Sequence, residues 1–218
     1  MLAKREHQKN LPILLERTLK KAKLSLKQID LIAVTSGPGL EPALWTGIVF
    51  AKELSKKWSI PIVPINHMEG HIFSNLIEDP KPAFPFMNLT ASGGHTQLVL
   101  VKEPFDYVIL GETIDDAAGE AFDKVAKMLD IGYPGGPLID KYAAVGNPRA
   151  VDFPRSYLDE GSFDFSFSGL KTSVLYYLKR SGFQKRTAEF DGNFIADVCA
   201  SFQASVVEVL VRKLILAA

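Results

Sequence analysis

An α/β fold is predicted for this chain, on three observations. Residues 29–65 alternate strand, helix and strand: "IDLIAVTSG" (29–37), "EPALWTGIVFAKELSKKW" (41–58) and "IPIVPI" (60–65). Residues 84–103, "FPFMNLTASGGHTQLVLVKE", are two apolar runs split by Gly93-Gly94. Residues 194–218, "FIADVCASFQASVVEVLVRKLILAA", are strongly apolar over a helical length. Two strands joined by a crossover helix make a parallel pair. Apolar runs around a glycine pair make a hairpin.

Each element has a local reason. "LPILLERTLKKAKL" (11–24) sets Leu11, Leu14, Leu15 and Leu19 on one helical face. The helix over 41–58 has Pro42 in its first turn, where a missing N–H costs nothing. A helix over 66–78 follows the second strand, with Asn66 as its cap. The hairpin continues into a third strand, "DYVILGET" (106–113), to form a meander. "DDAAGEAFDKVAKMLD" (115–130) reads as a helix with acids in its first turn, where the dipole favours them. "GYPGGP" (132–137) is a loop, and a helix covers 137–145. "FDFSFSGLKTSVLYYLKR" (163–180) runs from an extended segment into a helix. The last helix stops without glycine, asparagine or proline, and no strand precedes the first. Both ends read as cuts inside a larger domain.

Composition bounds the class. Hydrophobic residues at 47% and charged residues at 23% are those of a soluble globular chain and exclude a disordered one. No uninterrupted apolar run reaches the roughly 20 residues of a membrane span, and "MLAKREHQKN" lacks the apolar stretch of a signal peptide. The single cysteine, Cys199, forbids an internal disulfide and fits a reducing, cytoplasmic setting. A net charge of zero hides segregation. Residues 1–29 hold eight basic side chains against two acids, and residues 102–130 hold eight acids against three lysines. A second basic patch comprises Lys171, Lys179, Arg180, Lys185 and Arg186. Such ends suit a polyanionic partner; a solvated helix face has the same composition.

Six stretches could carry chemistry. In "NHMEGH" (66–71), His67 and His71 stand one helical turn apart, so both rings leave the same face. Imidazole pairs at this spacing present two nitrogens to zinc or iron; a capped polar helix start has the same letters. Glu69 stands two residues after the first histidine, which is not the His-Glu-x-x-His order of a zinc protease. A third ligand could come from His95 or the acids of 112–123. "TASGGHTQ" (90–97) offers glycines whose N–H groups can line an anion nest, or simply turn a hairpin. "YPGGPLID" (133–140) opens a helix able to meet a phosphate or a ribose hydroxyl, and "SGPGLEP" (36–42) is a third loop of this kind. Asp116, Glu120 and Asp123 fall on roughly one face, an arrangement that a ribose, a cation or a lysine would relieve. In "FSFSGLK" (165–171) the aromatics suit a core, while Ser166, Ser168 and Lys171 suit either packing or a cleft mouth.

Taken in order, "VTSGPGLEPALWTGI", "NHMEGHIFS", "SGGHTQLV", "GETIDDAAGEAFDKVAKMLDIGYPGGPLID" and "FDFSFSGLKTSV" resemble the tRNA N6-adenosine threonylcarbamoyltransferase family of the bacterial, TsaD type, once described as O-sialoglycoprotein endopeptidases. The resemblance covers nearly the whole chain. It implies the actin/Hsp70/sugar-kinase-like (ASKHA) fold, with two lobes around a nucleotide cleft. It implies transfer of a threonylcarbamoyl group from threonylcarbamoyl-AMP to N6 of the adenosine 3′ of the anticodon, in tRNAs reading codons that begin with A. By position, His67 and His71 resemble the ligands of one divalent metal, Fe2+ ahead of Zn2+. Thr90, Ala91, Ser92, Gly93 and Gly94 match the loop that contacts the adenylate. Asp123, Gly136 and Asp140 match the nucleoside-binding positions. No residue matches a general base. The implied partners are tRNA, a paralogous TsaB-like subunit and a small TsaE-like ATPase, with no membrane. The family pattern also has a leading strand reading roughly Gly-Ile-Glu-Thr-Ser-Cys-Asp, a Gly-Gly-Val-Ala-x-Asn loop, and a Thr-Asp-Asn segment whose aspartate completes the metal site. None of these occurs in residues 1–218, which therefore read as a partial domain expected to hold metal weakly on its own. The competing classes are a zinc metalloprotease, which needs a glutamate where Met68 stands, a non-catalytic partner of the same fold, and a kinase-like ATPase.

Overall fold

The computed structural model describes residues 2–158, 161–183 and 192–218. The chain divides into two compact units, residues 1–81 and 82–218. Lys185 and Arg186 of the second basic patch lie outside the described residues.

In the first unit, α1 (Leu2–Ala22) begins nine residues before the leucine stripe. Its early turns are rich in Lys, Arg, Glu and Gln, strong helix formers that need no apolar face. They extend the helix through Pro12, at the loss of one hydrogen bond. Leu11, Leu15 and Leu19 are half-buried as their spacing predicts, whereas Leu14 is 52% exposed. β1 (Ile32–Gly37) and β2 (Ile62–Asn66) pair in parallel, Ile32 opposite Ile62 and Thr35 opposite Ile65. The crossover is α2 (Glu41–Trp58), closed by Ser59 in the left-handed region at φ 55, its N–H on the Ser55 carbonyl. α3 (His67–Phe73) follows β2 without a break, and a single 3-10 turn, Ser74–Leu76, ends what was predicted as a longer helix. Among the described residues this sheet has two strands, and no residue of either is buried.

The second unit is built on the predicted meander. β3 (Phe86–Ala91), β4 (Thr96–Glu103) and β5 (Asp106–Glu112) pair antiparallel, with Leu98 of the central strand opposite Leu89 and Gly111. Four helices follow: α4 (Ala118–Leu129), α5 (Gly135–Ala143), α6 (Ser168–Arg180) and α7 (Gly192–Ala217). The core joins Leu98 of the sheet to Val125, Ile139, Val174 and Phe202 from the four helices. Phe165 and Phe167 are fully buried in it, as the aromatic alternation predicts. Their extended segment runs beside β5, where the Phe165 N–H donates to the Glu112 carbonyl at 2.9 Å.

Residues Asn193–Ala217 are long and apolar enough to cross a membrane by length and composition, but 56% of their most apolar window is buried. Asp197, Glu208, Arg212 and Lys213 interrupt the run, while Val198, Cys199 and Phe202 lie wholly inside the core. This is the pattern of a core helix. Burial pushes the Cys199 thiol up to about 12, which makes it an inert packing group at neutral pH. Lys213 is also buried, and its ammonium donates to the carbonyls of Ser162 and Asp164 and sits over the Phe165 ring. It thereby ties α7 to the segment that feeds α6.

Candidate metal and adenylate sites

The histidine pair is set by α3. The Asn66 side chain accepts from the Met68 N–H at 2.8 Å and starts the helix one residue before His67. The i,i+4 spacing then brings the two rings together, with centroids 4.5 Å apart and planes at 68°. Their Nε2 atoms are 3.1 Å apart. Nitrogens at that separation can both lie within about 2.1 Å of one cation, the length of a zinc–imidazole bond. Without a metal, the same distance suits a hydrogen bond from one ring to the other. The pair therefore fits a divalent ion but does not fill its shell. Among the described residues no group of three or more His, Cys, Asp or Glu side chains is placed to hold a metal. His95 and the acids of 112–123 belong to the second unit.

A different construction occupies the second unit. Ser92 and His95 close a tight turn: the Ser92 N–H donates to the His95 carbonyl at 2.8 Å, and the His95 N–H donates to Ser92 Oγ at 3.1 Å. The start of α4 docks on this turn. The Ala118 N–H donates to Thr96 Oγ1 at 2.8 Å, and the Gly119 N–H donates to the Ser92 carbonyl at 3.1 Å. A Cβ on Gly119 would stand 2.6 Å from that carbonyl oxygen, so the approach requires glycine. One turn further along α4, the Asp123 carboxylate accepts from the Gly135 N–H at 2.7 Å, at the first residue of α5. A Cβ on Gly135 would stand 2.6 Å from the Asp123 Cα. Gly119 and Asp123, one turn apart, thus hold the glycine turn and the start of α5 against one face of α4. Above Gly93, Gly94 and Gly136 an added methyl would meet nothing within 4 Å.

The remaining predicted residues are less alike than their motifs. Ala91 is exposed and Ser92 half-buried beside the turn. Thr90 is buried, and its hydroxyl accepts from the Asn88 amide at 3.0 Å. Asp140 is exposed, and its carboxylate accepts from Gln203 at 2.9 Å. The "SGPGLEP" loop joins β1 to α2 and belongs to the first unit.

The supposed acidic face does not exist as such. Asp116 precedes α4 and receives Lys124 at 2.6 Å and Lys171 at 2.7 Å, while Glu120 receives Lys124 at 2.7 Å. Lysine is thus what relieves two of the three acids, and the third, Asp123, turns to α5. Burial alone would push the Asp116 carboxyl up; the hydrogen bonds and charges of Lys124 and Lys171 outweigh it and hold the carboxyl below its ordinary range. A carboxyl depressed by folding contributes stability above its unfolded value and loses it as the pH falls through the folded one. Asp116→Ala is expected to cost about 2–3 kcal/mol in urea unfolding. Asp116→Asn should flatten the loss of stability below about pH 4; a variant that follows the unmodified chain there would remove this role.

Two residues escaped the sequence reading. Asp115 receives Ser166 Oγ at 2.6 Å and the Phe167 N–H at 2.9 Å, and so caps α6 from fifty residues away. Ser166 is therefore engaged in packing, as is Lys171. Gly119 is an isolated glycine inside a helical pattern, where it costs about 1 kcal/mol against alanine, and that cost is the signal that could have marked it.

Glycine-lined backbone beside a helix start, with a carboxylate in reach, is one arrangement by which α/β proteins accommodate phosphate-bearing nucleosides. The chain belongs to the tRNA N6-adenosine threonylcarbamoyltransferase family, whose model matches residues 1–218. It is similar to enzymes of that name from Clostridioides difficile (51% identical over 214 residues, 97% of this chain and 61% of the relative) and Syntrophotalea carbinolica (49% over 217 residues, 100% and 62%). A third, from Thermosipho africanus, is 48% identical over 212 residues, 97% of this chain and 62% of the relative. The chain therefore spans about 60% of the length of these curated relatives.

Proposed function

We propose that the protein to which this segment belongs transfers a threonylcarbamoyl group from threonylcarbamoyl-AMP to N6 of the adenosine 3′ of the anticodon, in tRNAs reading codons that begin with A. The observation that carries the reading is the one-turn spacing of Gly119 and Asp123, which sets the 92–95 turn and the start of α5 side by side. The two ends of the slot differ in charge. Asp123 already places an anion at α5, which disfavours a phosphate there and suits the hydroxyl donors of a ribose. The glycine turn carries no such charge and suits the phosphate. This orients the adenylate with its ester at Ser92–Gly94 and its sugar at Asp123 and Gly136. Held so, the carbamoyl carbon is kept for the incoming amine, and AMP leaves with the electrons of the broken bond.

His67 and His71 would hold the divalent metal, Fe2+ or Zn2+. When bound, that ion supplies a Lewis acid for phosphate or carbamoyl oxygens. The paralogous subunit, the small ATPase, the actin-like two-lobed architecture of the full-length protein and a cytoplasmic location are inferred with the family. The test is Gly94→Leu. Its side chain enters open space, so the hairpin is expected to remain folded while AMP affinity falls at least about tenfold by calorimetry, or 1.4 kcal/mol. Unaltered affinity would refute the slot.

A further inference from the structure

Residues 115–119 form a strap that is anchored at both ends. At one end two carboxylates grip the first turn of α6. Asp115 accepts from the Phe167 N–H at 2.9 Å and the Ser168 N–H at 3.3 Å, and Asp116 accepts from Lys171 Nζ at 2.7 Å. At the other end two N–H groups grip the glycine turn, Ala118 on Thr96 Oγ1 and Gly119 on the Ser92 carbonyl. Ala117, between the two pairs of anchors, is buried, as are Asp116 and Thr96. Lys124 also holds Asp116, but it stands on α4 and so braces that helix on its own lead-in. Of the two lysines, Lys171 carries the tie across to α6.

We propose that Lys171 is a positioning residue for the phosphate turn, acting through this strap. The inference rests on the assignment of the adenylate phosphate to Ser92–Gly94. Lys171 need not touch the ligand, because its ammonium is engaged with Asp116. The Ser92 carbonyl and the Gly93 N–H belong to one planar peptide. The bond from Gly119 to that carbonyl therefore sets the direction of the Gly93 N–H, a donor that the turn offers to the phosphate. Glycine has no side chain with which packing could hold the plane instead, and an added methyl on Gly93 or Gly94 would meet nothing within 4 Å. Without Lys171, Asp116 keeps Lys124, the more exposed of the two lysines. A buried carboxylate that has lost one of two cations is costly, so it follows Lys124 toward water. The strap shifts with it, and the Gly93 N–H turns off its line.

The test places Lys171→Met and Lys171→Arg in a full-length enzyme carrying this segment and titrates AMP and adenosine by calorimetry. The ratio of the two affinities reads the phosphate alone. Lys171→Met is expected to cut that ratio about tenfold, the worth of one hydrogen bond to a charged group. Adenosine affinity should stay within about twofold, as for an independent site. Lys171→Arg should restore most of the ratio, because its charge persists and still meets Asp116. If the methionine variant does not fold, Lys171→Gln gives the same comparison. An unchanged ratio in the folded variant overturns the proposal. So does an equal loss for both ligands, which would give Lys171 a part in the fold alone. An unmodified enzyme that binds AMP no better than adenosine has no phosphate at the turn, and that failure belongs to the slot itself and removes this inference with it.

Discussion

Alanine at both His67 and His71 reduces iron or zinc bound by a full-length enzyme carrying this segment to background, read by elemental analysis after metal loading and gel filtration. In a full-length enzyme carrying this segment, tRNA threonylcarbamoylation falls more than about 100-fold, beyond what loss of an outer-shell partner costs. The expectation rests on the 3.1 Å separation of the two Nε2 atoms, which allows both to reach one ion. Removing one ring leaves a single donor and should already release most of the metal. Glu69→Gln is the control, because residue 69 leaves α3 on a different side from both histidines. Metal content unchanged in the double variant would show that the rings merely bond to each other.

A methyl group at Gly119 has a different effect from one at Gly136, although both glycines flank the proposed adenylate slot. At Gly119 the new carbon would press on the Ser92 carbonyl at 2.6 Å and the Gly93 Cα at 2.7 Å, and both are backbone. The turn must shift, at an overpacking cost of about 1–3 kcal/mol, and AMP binding should be lost with it. At Gly136 nothing stands within 4 Å. Gly136→Ala should leave the fold intact, or stabilise it by up to about 1 kcal/mol within a helix, while AMP affinity drops because the methyl occupies ligand space. Urea unfolding and calorimetry on the two variants separate the effects. Full AMP affinity in Gly136→Ala would move the sugar away from α5.

Much of the fold is legible because its signals are local. Gly93-Gly94 between alternating apolar runs announces the β3–β4 hairpin, and the four-residue spacing of the histidines announces their meeting. Asn66 caps α3 as its residue type predicts. What could not be read is long-range. Asp115 and Asp116 look like the first turn of α4, where carboxylates are welcome. The helix begins only at Ala118, because Asp115 is committed to the start of α6 and Asp116 to Lys171. Those partners lie more than fifty residues along the chain, beyond any periodicity. The link from Asp123 to Gly135 is closer in sequence, but it depends on how α4 meets α5, which pattern alone does not give. Lys213 reads as a charged interruption of an apolar helix, and it is a buried tether whose acceptors are carbonyls of a loop fifty residues earlier.

The β1–β2 ribbon affects how the chain behaves in a test tube. Parallel ladders are normally walled in on both faces, yet neither strand here has a buried residue. Its outer margins offer backbone groups that a neighbouring molecule can zip onto, and Val63 adds greasy surface beside them. Handled alone and concentrated, the polypeptide will tend to stick to itself through this ribbon, so dilute, cool conditions or a covering chaperone suit its preparation better than crowding.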